Sequence, residues 1–284
     1  MSLRSRVPPL SDKVWRGDQA AGLRRLFGSR APQVVAFASG REACGRTTLV
    51  VQTAVALARQ GQAVLIVDEN PAPNNAVSAF GLTARYDLMH AVHGTRALRQ
   101  VELAAAPLVR IVPAARAARE LDHVDEGTRQ RLGGCLEQMQ DGANFVLIDC
   151  ATRRGDHLSA LARSARHLAV VVAAQSSAIT QAYALIKRLA EERAHGGFQI
   201  AITRARSPEE ARAIFENMRR VADEHLGVRL DYLGDAGVPV TEHLAEALCS
   251  RLPANDDLGM PLSGSDGDLW GDFGRDMGMQ ESMA

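Results

Sequence analysis

The sequence predicts an α/β domain built on a doubly wound, mainly parallel sheet flanked by helices. Three observations predict it. Short, nearly continuous apolar runs alternate with longer segments of helical periodicity. A glycine-bearing loop follows the first of these runs and opens a helix, and two later runs each end on an aspartate. The runs read as strands are Val34–Ala38, Ala63–Asp68, Val109–Pro113, Phe145–Asp149, Leu168–Ala173, Gln199–Thr203 and Val228–Leu233. Strands that are apolar on both faces need helices on both sides of the sheet. The helix after Thr203 is the most fully specified: Ser207 caps it, Pro208 stands at its first position and Glu210 completes a capping box. Its apolar residues Ala211, Ile214, Phe215, Met218, Val221, Ala222 and Leu226 recur at helical spacing.

The 284 residues, 46% of them apolar and 23% charged, are enough to fill a substantial core and exclude wholesale disorder. The predicted organisation is an N-terminal extension over residues 1–31, a core domain over 32–253 and an acidic tail over 254–284. The extension carries seven basic and two acidic groups; residues 255–284 carry one basic group and seven acidic ones. That tail, rich in Gly, Ser and Met, is expected to be disordered in isolation. Over the whole chain 33 basic and 33 acidic side chains cancel, so no net field draws in nucleic acid or anionic lipid. Cys44, Cys135, Cys150 and Cys249 form no C-x-x-C pair, which argues against a disulfide framework and against a structural zinc site. His90, His93 and His123 lack ligand spacing and read as polar residues on helix surfaces. Met1–Leu10 lacks an apolar h-region and no stretch reaches the length of a membrane span, so the expected location is cytoplasmic.

After the first strand, Gly40-Arg41-Glu42-Ala43-Cys44-Gly45-Arg46-Thr47-Thr48 has the strand, loop and helix context of a phosphate-binding loop. Its backbone N–H groups would converge on phosphate oxygens at the positive end of a helix opening at Thr47, whose hydroxyl would serve Mg²⁺. Taken alone, such a loop is more often a glycine-containing turn without a ligand. Asp68 and Asp149, each ending a strand, shift that balance, because a strand-end carboxylate holds Mg²⁺ through water in such sites.

With these features the chain resembles the MinD/ParA branch of P-loop ATPases, and within it the FlhG/FleN flagellar number regulators. Asp18-Gln19-Ala20-Ala21-Gly22-Leu23-Arg24 matches that family's D-Q-A-x-x-L-R motif. Ala178-Ile179-Thr180-Gln181-Ala182-Tyr183-Ala184-Leu185-Ile186-Lys187 is similar to its S-I-T-D-A-Y-A-L-I-K segment. Ala205-Arg206-Ser207 and Leu230-Asp231-Tyr232-Leu233-Gly234 match further stretches. The resemblance covers residues 18 to 253.

By this resemblance Gly40, Arg41, Gly45, Arg46, Thr47, Thr48 and Thr203 are the nucleotide-binding positions, and Thr47, Asp68 and Asp149 the metal-binding ones. Asp68 and Asn70 are the catalytic positions, and Asp18, Gln19, Ala20, Leu23 and Arg24 the partner-binding ones. The departures cluster at the nucleotide. Arg41 replaces the signature lysine and Arg46 the Walker lysine, while Glu42 and Ala43 replace a glycine pair. Asn70 replaces the aspartate that orients attacking water, and Thr203 an asparagine at the adenine. With only two lysines in the chain, Lys13 and Lys187, a drift toward arginine explains Arg41, but not Glu42, Asn70 and Thr203 together.

The resemblance implies a regulator of flagellar number, placement or assembly that acts through protein contacts, among them stimulation of an FlhF-type GTPase by the N-terminal motif. Flagellar switch-complex proteins or a flagellar transcription regulator are further expected partners, and a homodimer is compatible with the family. ATP and Mg²⁺ are the implied cofactors, with binding weakened or lost and hydrolysis weak or absent. The alternative is a competent ATPase whose ATP-dependent dimerisation controls flagellar assembly. A DNA-partitioning protein is disfavoured by the balanced charge, and no nucleic acid is expected. The family usually ends in a membrane-inserting amphipathic helix. Here Leu269, Trp270, Phe273 and Met277 are interrupted by glycines and aspartates, so direct membrane binding is expected to be weak or absent. Recruitment to the inner face of the membrane or to the cell pole would then run through partners.

Overall fold

The computed structural model describes residues 31–151, 157–192, 197–236 and 248–249. The chain divides between Ala31 and Pro32 into two units, and the architecture below belongs to the second. The partner-binding positions Asp18, Gln19, Ala20, Leu23 and Arg24 and the acidic tail lie outside the described residues.

Eight strands form one sheet: β1 (Gln33–Ala38), β2 (Val64–Asp68), β3 (Leu103–Ala106), β4 (Val109–Pro113), β5 (Phe145–Asp149), β6 (His167–Ala173), β7 (Phe198–Thr203) and β8 (Leu230–Ala236). Their order is β3-β4-β2-β5-β1-β6-β7-β8, parallel throughout except that β3 runs antiparallel to β4. The helices are α1 (Arg46–Arg59), α2 (Ala76–Ala79), α3 (Leu88–Val92), α4 (Leu98–Val101), α5 (Ala117–Glu120), α6 (Glu126–Gln140), α7 (Ala160–Ser164), α8 (Ser176–Glu192) and α9 (Pro208–Leu226).

Alternation along each strand splits the core into two layers. Val34, Ala36 and Ala38 of β1 pack with residues of α3, α6, α7, α8 and α9 on one face; Val35 and Phe37 pack with Leu49, Val50, Ala54 and Leu57 of α1 on the other. Every residue of β2, β5 and β6 is buried, which explains why those runs are apolar at consecutive positions rather than at every second one. The predicted fold class is the observed one. Two details differ. β3, a short alanine-rich edge strand, escapes the apolar pattern because its residues are half-buried or exposed. β8 begins two residues later than expected and continues to Ala236, through a register shift opposite Ile200 and Ala201.

At α9, Ser207 caps the helix as expected, its hydroxyl accepting the Glu210 N–H at 3.2 Å, and Gly227 closes it in the left-handed conformation at φ 64°. The reciprocal half of the capping box is corrected. The Glu210 carboxylate accepts the Arg206 N–H at 2.6 Å, one residue before the cap, and also pairs with the Arg206 guanidinium. Among the described residues no helix is long and apolar enough to cross a membrane.

Candidate functional site

The loop Ser39–Gly45 joins the C-terminal end of β1 to α1, at the carboxyl edge of the sheet where open α/β folds bind ligands. Gly45 takes φ 90°, a conformation that suits glycine. Ala43, in place of a glycine, is held at φ 56°, where a side chain costs about 1–2 kcal/mol. The helix opens at Arg46, one residue before the expected Thr47, and no side chain caps it, so its first N–H groups face the loop.

β2 and β5 are neighbours in parallel register, with Asp68 directly paired to Asp149. Two strand-end carboxylates thereby stand side by side beneath the loop, as the resemblance requires. What surrounds them is different. Arg46 is 7% exposed and Asp149 fully buried; the Arg46 Nε donates to Asp149 Oδ1 at 2.5 Å, and its Nη1 donates to Ser39 Oγ at 3.2 Å. Thr47 Oγ1 donates to Asp149 Oδ2 at 2.6 Å and accepts from Asn70 Nδ2 at 3.1 Å. Ser39, Arg46, Asp149, Thr47 and Asn70 therefore form one continuous hydrogen-bonded ladder. Burial pulls the Arg46 guanidinium downward, but the charge of Asp149 and its hydrogen bond more than offset this, so Arg46 stays protonated.

Asp68 is committed elsewhere. Its Oδ1 accepts the Asn70 N–H at 3.1 Å and its Oδ2 accepts the Val77 N–H at 3.0 Å, at the start of α2. Burial, then the charge of Asp149, push its carboxyl up to about 7. Glu69, between the two predicted catalytic positions, is fully buried. It accepts the Ala151 N–H at 3.2 Å and the Ser159 hydroxyl at 2.5 Å, and burial pushes it up to about 7 as well. Asp68 and Asn70 also line a 240 Å³ cleft with Pro73, Asn75, Ser78 and Thr83.

The other predicted positions are equally specific. The Arg41 Nη1 donates to Ser177 Oγ at 2.9 Å, tying the loop to the start of α8. Gly40 lies so close to α8 that a Cβ there would strike the Gln181 backbone carbonyl. Thr203 is buried and donates its hydroxyl to the Cys44 carbonyl at 2.6 Å, bracing the loop from behind. Thr48 is exposed on the first turn of α1. The structure thus brings the loop, Asp68, Asn70, Asp149 and Thr203 into one region, together with Glu69, Ser39, Ser159 and Ser177, which the sequence reading did not single out. A signal for Glu69 exists in the sequence: a carboxylate directly after a fully apolar strand must be paired or protonated if it is buried.

The family implies Mg²⁺ and a nucleotide, and the residues can be tested against them. A divalent metal in such a site takes the threonine hydroxyl and is held by the strand-end carboxylate through water. Here Asp149 accepts from Arg46 on one oxygen and from Thr47 on the other, and Asp68 accepts backbone N–H groups on both of its oxygens. The guanidinium charge already paired with Asp149 disfavours a divalent ion beside it.

Comparison with known proteins places these features in context. The AAA-domain family model matches residues 32–200. The chain is 32% identical over 225 residues to the antiactivator FleN of Pseudomonas aeruginosa, covering 79% of this chain and 80% of that protein. It is 24% identical to the flagellum site-determining protein YlxH of Helicobacter pylori, over 70% of this chain and 68% of that one. Among solved structures, the MinD cell division protein of Aquifex aeolicus superposes with a TM-score of 0.54 at 19% identity, over 86% of this chain and 96% of that one. A plasmid partition protein of Borrelia burgdorferi bound to AMPPNP superposes with a TM-score of 0.60 at 13% identity, over 78% of this chain and 100% of the other.

Proposed function

This chain belongs to the AAA-domain family and, within the MinD/ParA-like P-loop ATPases, to the FlhG/FleN group; from that membership we propose that it regulates flagellar number, placement or assembly through protein contacts, with little or no ATP hydrolysis of its own. The names of its relatives, an antiactivator and a flagellum site-determining protein, support the flagellar role. The observation that carries the second half is the buried pair of Arg46 with Asp149.

Hydrolysis in this fold asks the loop cation to contact the phosphates and a carboxylate at position 70 to steady the attacking water. Arg46 is turned to Asp149 and Asn70 is an amide bonded to Thr47. If each loss costs ~2.7–4 kcal/mol of transition-state stabilisation, turnover falls by orders of magnitude. The chain keeps the loop, the helix N-terminus and the sheet edge on which the family's nucleotide site is built. Its proposed partners are an FlhF-type GTPase engaged by residues 18–24, and flagellar switch-complex proteins or a flagellar transcription regulator.

Steady-state ATP turnover by the full chain is expected at background and unchanged by Asp149→Ala. The pair of substitutions Arg46→Lys and Asn70→Asp should raise it. A wild-type turnover abolished by Asp149→Ala would establish the competing reading, a competent ATPase in which the arginines take over the lysine roles.

A further inference from the structure

We infer that the Arg46 guanidinium is the resident cation of this site: it occupies the carboxylate that a divalent metal would take, so that any nucleotide meeting the loop does so without Mg²⁺. This inference rests on the reading of a degenerate nucleotide site and goes further, because it assigns the substituted residues a joint structural purpose.

Charge balance comes first. Asp149 is fully buried, and a buried carboxylate requires a partner of opposite charge or a metal. Arg46 supplies that charge at 2.5 Å, and Thr47 holds the second oxygen at 2.6 Å. A divalent ion at Asp149 would stand beside the guanidinium, like charge against like, unless it displaced it. Arginine suits this place better than lysine does, because its fork can hold Asp149 and Ser39 together, at 2.5 and 3.2 Å.

The second substitution fits the first. The Thr47 hydroxyl has one hydrogen, which goes to Asp149, and its oxygen is left to accept. An ionised aspartate at position 70 has no hydrogen to give it and would place a second negative charge beside Asp149. Asn70 does have one, and donates to Thr47 at 3.1 Å. The amide thus completes a ladder that the guanidinium begins, and the two replacements make sense as a pair. The neighbouring Asp68 is engaged separately, its two oxygens accepting the N–H groups of Asn70 and Val77. A hard divalent cation would have to compete at Asp149 with the guanidinium already seated there.

The test is the affinity of a fluorescent ATP analogue for the full chain, measured in Mg²⁺ and again in EDTA. The wild type should bind the analogue with equal affinity in both. Arg46→Lys, which gives up the fork, should make binding at least ~10-fold tighter in Mg²⁺ than in EDTA. A wild type that itself binds ~10-fold tighter in Mg²⁺ overturns the inference, and so does a folded Arg46→Lys that stays indifferent to the metal. Should that variant fail to fold, iron-catalysed backbone cleavage of the wild type, with Fe²⁺ and ATP, decides. Cuts near Thr47 or Asp149 overturn the inference, and intact chain there supports it. ATP turnover enters neither measurement, so the absence of hydrolysis and the replacement of the metal can fail independently.

Discussion

Glu69 shows at single-residue scale how the end of β2 is tied to the segment that follows β5. Its carboxyl joins the end of β2 to the segment after β5, through the Ala151 N–H, and to the cap of α7, through Ser159. Burial raises it from 4.5 to about 7, so the folded state binds its proton more tightly than the unfolded chain does. The sign follows: the stabilisation is complete below about 4.5 and is lost as the pH rises through about 7. Glu69→Gln keeps an acceptor for Ala151 and can donate to Ser159, but it does not titrate. The stability of the wild type relative to Glu69→Gln should therefore fall between pH 5 and pH 8, measured by urea unfolding at each pH; a difference that stays constant across that range rules the argument out. The same scale explains what could be read of the site in the sequence. Arg46, Asn70 and Thr203 stood out as departures from a pattern, but their destinations depend on register. Arg46 finds Asp149 because β5 lies next to β1, and Thr203 finds the Cys44 carbonyl because β7 ends behind the loop.

Among elements, β1, β2, β4, β5, β6 and β7 could be read because they are buried at every position or at all but one, and consecutive apolar residues leave little alternative. β8, half-buried at four of its seven positions, was read only from its Val228–Leu233 run. β3 could not be read because an edge strand of Leu-Ala-Ala-Ala, half-exposed, has neither the period nor the β-branched residues that mark strands. The short helices α2 to α5 were equally silent. Their caps, such as Asn75 on Ser78 and Asp87 on Met89, are made by side chains common in any turn. The approach of the loop to α8 makes an element-scale prediction. Gly40→Ala would press a methyl group onto the Gln181 backbone, which cannot swing aside as a side chain would. It should destabilise the core by ~1–3 kcal/mol in denaturant unfolding. Gly133→Ala within α6, where a Cβ meets nothing within 4 Å, should instead stabilise by ~0.5–1 kcal/mol. Equal effects of the two would mean that the loop is not seated against α8.

For the whole molecule, the balanced charge hides a polarised chain, basic over residues 1–30 and acidic over 255–284. The core between them carries the buried ladder around Arg46, while the motif Asp18-Gln19-Ala20-Ala21-Gly22-Leu23-Arg24 stands outside it in sequence, between Pro8-Pro9 and Gly28-Ser29-Arg30-Ala31-Pro32. If regulation runs through that motif, it should survive the loss of a working nucleotide site. A glutamine or an arginine offered to a GTPase can steady the attacking water or the charge of the transition state, and Gln19 and Arg24 are the residues of the motif able to do so. The full chain should accelerate GTP hydrolysis by its cognate FlhF-type GTPase. Gln19→Ala and Arg24→Ala should each return the rate to that of the GTPase alone, with the thermal unfolding of the core unchanged. Arg46→Lys should leave the acceleration intact, because it alters the ladder and not the motif. Binding without acceleration by the wild type would make the segment a docking element. Acceleration lost with Arg46→Lys would instead place the output under the control of the nucleotide site, and the competing ATPase reading would then explain why the loop was kept.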